Sequence, residues 1–80
     1  MAREKADRAA RTEVVEKKLA ELSAREREIL RLMLSGHSNK EIGRILDISS
    51  RTVEVHRGRV MKKMNVGSVV SLVRMTTGIL

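Results

Sequence analysis

The 80-residue sequence contains no cysteine, no proline and no aromatic residue. Without cysteine there is neither a disulfide framework nor a thiolate zinc site, and two isolated histidines cannot assemble a metal site without carboxylates. Such usage fits a reducing cytoplasm, which is the expected location. Without Phe, Tyr or Trp there is no platform on which single-stranded bases could stack, and the core must come from Leu, Ile, Val, Met and Ala. Long apolar runs are missing as well. Ile29-Leu30 and Leu32-Met33-Leu34 fall far short of a bilayer span, and the polar N-terminus lacks the apolar region of a signal peptide. These absences describe a soluble chain with room for one small domain and little room for a catalytic cavity.

What the chain has in excess is positive charge, formally +7. Residues 1–22 hold six Lys and Arg against five acids, whereas residues 23–80 hold eleven against five, so the second segment carries nearly all the surplus. A basic surplus suits a polyanion such as DNA, because neutralising phosphates releases condensed counterions; by itself it suits an anionic membrane or an acidic partner equally well.

Abundant Glu, Arg, Lys, Leu and Ala, with no sustained polar/apolar alternation, predict an all-α chain. Residues 2–22 read as a charged helical linker with a thin stripe at Val15, Leu19 and Leu22, the start helical or frayed. Ser23-Ala24-Arg25-Glu26 matches a capping box, in which the Ser oxygen accepts an orphan backbone N–H and the Glu returns to the Ser amide. A helix over 24–35 follows, with Ile29, Leu30, Met33 and Leu34 at core spacing, and stops at Gly36, which tolerates the left-handed backbone of a C-terminus. Ser38-Asn39-Lys40-Glu41 is a second capping box, opening a short helix with Ile42, Ile45 and Leu46 on its apolar face. Asp47-Ile48-Ser49 is a tight connection in which Ile48 plugs the corner and Ser49 caps a helix over 50–64. That helix ends at Asn65-Val66-Gly67. Ser68 then caps a last one, with Val69, Leu72, Val73 and Thr76 along one face. Met33, Met61, Met64 and Met75 fall at helical spacing that points to core filling rather than a promiscuous surface.

The 50–64 helix can be read by phase. With Val53 at zero and about 100° per residue, Val60, Met64 and His56 lie within about 60° and face the core. Arg51, Val55, Gly58 and Lys62 fall opposite, flanked by Glu54 and Arg59. Each type has a use in a major groove: Glu54 accepts from cytosine N4, Val55 touches a thymine methyl, and Gly58 lets the backbone approach closely. Arg51, Arg59 and Lys62 can hold phosphates. Two capped short helices meeting at a tight turn supply the geometry in which the second helix projects while the first braces it.

Three blocks, Leu22–Leu30, Gly36–Ile42 and Ile48–Arg57, followed by Lys62-Lys63-Met64-Asn65-Val66, closely resemble the LuxR/FixJ/NarL-type DNA-binding domain in order and spacing. The likeness covers about residues 22–77. It implies a four-helix helix-turn-helix bundle without a wing, here residues 23–80 behind an N-terminal linker helix, acting as the effector domain of a two-component response regulator. It also implies a double-stranded DNA operator as partner, a homodimer on DNA through the last helix, a contact with RNA polymerase, and usually an N-terminal receiver domain, of which these residues hold no sequence. By resemblance Glu54, Val55 and Gly58 face base edges, while Lys40, Arg51, Thr52, Arg57 and Lys62 contact phosphates. Three positions depart from the family's habit: Ser50 replaces a frequent Pro or Glu, Asn65 a common Gly, and Gly43 a frequent Ala. Asn65 still tolerates a left-handed cap, and Gly43 permits a close helix crossing at some cost in propensity.

Some residues carry two readings. His56, one turn from Val53 and Val60, suits a hydrogen-bonded structural histidine better than a phosphate ligand. Arg57 leans inward at about 40° from Val53, so it must snorkel outward or find an acid, with Glu26 and Glu28 the candidates; it can brace the bundle, reach phosphate, or do both. Val70 shares a side with Arg74 and Thr77, off the apolar stripe of the last helix that the resemblance makes the dimer surface. A competing function is a basic helical adaptor for an acidic partner or the transcription machinery. An enzyme is disfavoured, since His37 and His56 sit on different elements and no nucleophile, carboxylate pair or glycine-rich phosphate loop is spaced for chemistry. Membrane-surface binding lacks a broad apolar stripe, and no cofactor, metal or small-molecule ligand is implied.

Overall fold

The structure is a computed structural model that describes residues 2–80, with side chains from Ala10 onward. Its elements are α1 (Ala2–Ala20), α2 (Ala24–Leu34), α3 (Asn39–Leu46), α4 (Ser50–Lys63) and α5 (Val69–Thr76), with no strand among the described residues. Among the described residues no helix is long and apolar enough to cross a membrane.

Both capping boxes form. The Ser23 hydroxyl accepts from the Glu26 amide at 3.1 Å while Glu26 Oε1 accepts from the Ser23 amide at 2.8 Å. Ser38 and Glu41 repeat the exchange at 3.2 and 3.0 Å. Ser49 and Ser68 cap α4 and α5, each hydroxyl accepting a backbone N–H at 3.1 Å. Four serines thus satisfy orphan donors at four helix starts, each cap worth about 1 kcal/mol. The ends are equally local. Gly36 takes φ +85° after α2, and Asn65 takes φ 55° after α4, the left-handed conformation that a short polar side chain tolerates. Asp47 does the same at φ 56° to close α3, a role its sequence did not announce.

α4 is the hub, packing against α2 on one side and α3 on the other, while α5 leans on α2. The fully buried side chains are Ile29 and Leu30 of α2, Ile42 of α3, Val53, Val60 and the cap residue Met64 of α4, and Leu72 of α5. Each is worth about 1.5–3 kcal/mol relative to exposure. Met33 joins them, and Met61 and Met75 pack half-buried against the cluster. The N-terminal segment takes part as well: Val15 and Leu22 are buried in the same core and Leu19 packs against it.

Two apolar expectations fail. Ile45 is 53% exposed, because the inward arc of α3 is made by Ile42, Gly43 and Leu46 and Ile45 lies about 60° outside Ile42 on the uncovered side. Val73 is 42% exposed, since Val69, Leu72 and Thr76 define the inward face of α5 and Val73 falls at its uncovered edge. The turn between α3 and α4 is tight enough that a Cβ on Gly43 would stand 2.6 Å from the Ile48 carbonyl oxygen. Its close approach is therefore to the backbone of the turn.

Candidate nucleic-acid interface

Helix α4 buries one face and leaves the other bare. Val53 and Val60 are fully buried, whereas Arg51, Thr52, Glu54, Val55, Gly58, Arg59 and Lys62 are exposed. Glu54, Val55 and Gly58 thus stand together on the solvent side, and a Cβ at Gly58 would meet nothing within 4 Å. None of Arg51, Glu54, Arg59 or Lys62 has an internal ion pair or hydrogen bond among the described residues, so their charges are free for an external ligand. The first turn of α4 contains no acid, leaving the positive end of the helix dipole unneutralised beside Arg51. Thr52 Oγ1 lies 2.9 Å from the Ser49 hydroxyl. With Ser49 as donor there, Thr52 retains its own O–H for a phosphate oxygen. Lys40, in the first turn of α3, is exposed too.

Arg57 is half-buried, and neither expected partner meets it. Glu28 pairs with Arg25 at 3.4 Å, and Glu26 belongs to Lys63, whose Nζ donates to Oε1 at 2.7 Å. The side chain of Glu26 is only 4% exposed, and the Lys63 hydrogen bond, followed by the Ser23 amide, holds its carboxyl below the usual 4.5 against the opposing effect of burial. Lys63 also donates to the Glu21 carbonyl at 3.2 Å. One turn away, Arg27 grips the Leu19 carbonyl through Nε and a terminal nitrogen at 3.2 and 3.1 Å. The adjacent lysines of α4 therefore divide: Lys62 faces outward unpaired, while Lys63 ties the end of α4 to the α1–α2 corner. The sequence offered only one faint sign of this, a capping-box glutamate with a second face to satisfy. His56 is half-buried as its phase requires, but Nδ1 has no hydrogen-bond partner among the described residues, so it is not the hydrogen-bonded histidine expected. Val70 and Arg74 of α5 are exposed, as is the cap residue Thr77.

Comparison with known proteins matches this arrangement. The family model described as bacterial regulatory proteins, luxR family, matches residues 20–76. The response regulator protein TmoT of Ectopseudomonas mendocina is 53% identical over 55 residues, covering 69% of this chain and 25% of TmoT. The transcriptional regulatory protein FixJ of Azorhizobium caulinodans is 52% identical over 66 residues, covering 82% of this chain and 31% of FixJ. Among solved structures, full-length FixJ from B. japonicum superposes with a TM-score of 0.86 at 42% identity, covering 94% of this chain and 38% of that one. The chain thus spans between a quarter and two fifths of the length of these relatives. With α3 and α4 meeting at the Asp47–Ser49 turn and a match of this extent, the chain belongs to the luxR family of bacterial regulatory proteins, as a helix-turn-helix DNA-binding domain of transcription regulation.

Proposed function

We propose that the chain is the effector domain of a two-component response regulator in the bacterial cytoplasm, laying α4 into the major groove of a double-stranded operator. Glu54, Val55 and Gly58 face base edges, and Lys40, Arg51, Thr52, Arg57, Arg59 and Lys62 hold phosphates on either side. The unit that binds is residues 23–80, with residues 1–22 an N-terminal extension. Two copies pair on DNA through Val70 and Arg74 of α5 and its cap residue Thr77, and the bound dimer contacts RNA polymerase.

The observation that carries this reading is the solvent face of α4. It sets an unpaired carboxylate, a bare valine and an open glycine between cations that have no partner inside the protein. Selecting bound sequences from random DNA tests the reading. The chain enriches one site, and Glu54→Ala relaxes preference at one or two positions by about 1–3 kcal/mol each while leaving the rest intact. Equal binding of the selected site and a scrambled duplex at moderate salt would refute base reading. Val70→Glu separately abolishes the paired complex without changing the preferred half-site.

A further inference from the structure

α1 does not lie flush on α5. Between them runs a groove of about 1020 Å³ to which no residue of α4 contributes, with Val14 and Val15 on one wall, Val66, Met75 and Ile79 on the other, and Arg11 and Arg74 at its charged positions. The volume accommodates roughly two turns of a helix about 10 Å across. Its walls are only partly satisfied by the protein itself: Val14 is 52% exposed, and Met75 and Ile79 remain half-buried. Across all its lining residues the groove presents arginine and no carboxylate.

We infer that this groove docks an acidic amphipathic helix of another protein. Two properties of the occupant follow from the walls. Its apolar residues recur at i, i+3 or i+4 and i+7 to meet the two apolar sides, the usual manner in which a helix enters a groove. Its flank is acidic, because Arg74 stands exposed at the edge with nothing of opposite sign beside it among the lining residues. A second copy of this chain is a poor occupant on the same ground. Each of the five helices carries more basic than acidic residues, six to four in α1, five to one in α4 and one to none in α5, so no helix of a second protomer complements the groove. Opposite charges across the groove edge steer encounter and fix register.

The groove shares Arg74 and Thr77 with the row proposed above for pairing on DNA. An occupant therefore competes with α5-mediated pairing while leaving α4 open. That consequence rests on the proposed dimer; the docking site does not.

The test uses a fluorescent synthetic peptide of about 14 residues, near four helical turns, with leucines at helical core spacing and glutamates on the flanks, beside a control in which lysines replace the glutamates. Anisotropy titration of the whole chain is expected to show saturable binding of the acidic peptide and none of the basic one. Val14→Asp and Arg74→Glu, both at exposed positions that leave the helical circular dichroism unchanged, each weaken binding by about tenfold or more. Amide shifts in the NMR spectrum are expected around Val14, Val66, Ser71 and Met75. Three results overturn the inference: no binding, equal binding of both peptides, or shifts confined to α4, which would mean that the peptide merely mimics nucleic acid on the basic reading face. Loss of operator binding in some other variant bears on the proposed function and leaves this result untouched.

Discussion

Replacing Lys63 with methionine removes a charge that the structure spends entirely on internal partners. In the native chain Nζ lies 2.7 Å from a carboxylate whose side chain is 4% exposed, while the lysine itself is 39% exposed. At that distance the gross Coulomb attraction is about 6 kcal/mol with an effective dielectric of 20, most of it offset by desolvation of the two ions. Removing one partner of a buried pair costs about 3–5 kcal/mol, because the other charge is left behind. The partial exposure of Lys63 sets the expectation near the lower bound, about 2–3 kcal/mol. Urea unfolding followed by circular dichroism measures it. The pH dependence isolates the cause. Glu26 has its folded-state carboxyl held below the ordinary 4.5, so the stability it contributes is fully present above that value and lost as pH falls through the lowered folded value. In Lys63→Met the largest lowering influence is gone, leaving the Ser23 amide to oppose burial, so the carboxyl is held down less and contributes less above its folded value. The gap between the two proteins is thus wide at neutral pH and closes in acid. A loss below about 0.5 kcal/mol, or a gap unchanged between neutral pH and pH well below 4.5, would refute the electrostatic account and leave packing of the lysine stem.

Because Lys63 is committed internally and Lys62 is not, Lys62→Met should lower the slope of log affinity against log salt by about one unit, while Lys63→Met leaves the slope unchanged. Gly43→Val places branched carbon where even a lone Cβ would stand 2.6 Å from the Ile48 carbonyl oxygen, so thermal melts should report a loss of about 2–3 kcal/mol together with weakened operator binding. Ser38→Ala removes the acceptor for the Glu41 amide and should cost about 1 kcal/mol in urea unfolding, while Ser35→Ala, outside any box, changes little.

The parts of the fold that were legible in the sequence are those decided within four or five residues. Ser23 and Glu26, Ser38 and Glu41, Ser49 and Ser68 each announce a helix start because the cap is made by neighbours, and all four form. Phase along 50–64 likewise separated Val53 and Val60 from Glu54, Val55 and Gly58, since helical period alone sets which residues share a face. What escaped depends on what stands opposite. Ile45 and Val73 are apolar residues at the margins of their stripes, and whether a marginal position is covered is decided by neighbouring helices that a local pattern does not contain. The Glu26–Lys63 pair joins residues 37 apart, whereas the inward phase of Arg57 pointed to Glu26 or Glu28 as its partner; the end of α4, rather than its middle, reaches the head of α2. Asp47 closes α3 in a conformation usually signalled by glycine, available to it because its side chain is short and polar.

The grip of Lys63 on the Glu21 carbonyl and of Arg27 on the Leu19 carbonyl makes α1 a lever. Its nineteen residues form a rod about 28 Å long whose fulcrum sits at the C-terminal end of α4. A sideways load on the far end has three outlets: the rod bends, the cation–carbonyl bonds release, or α4 tilts. The same ammonium holds that fulcrum and joins the last residue of α4 to the head of α2, so a load that the rod does not absorb bears on α4 itself.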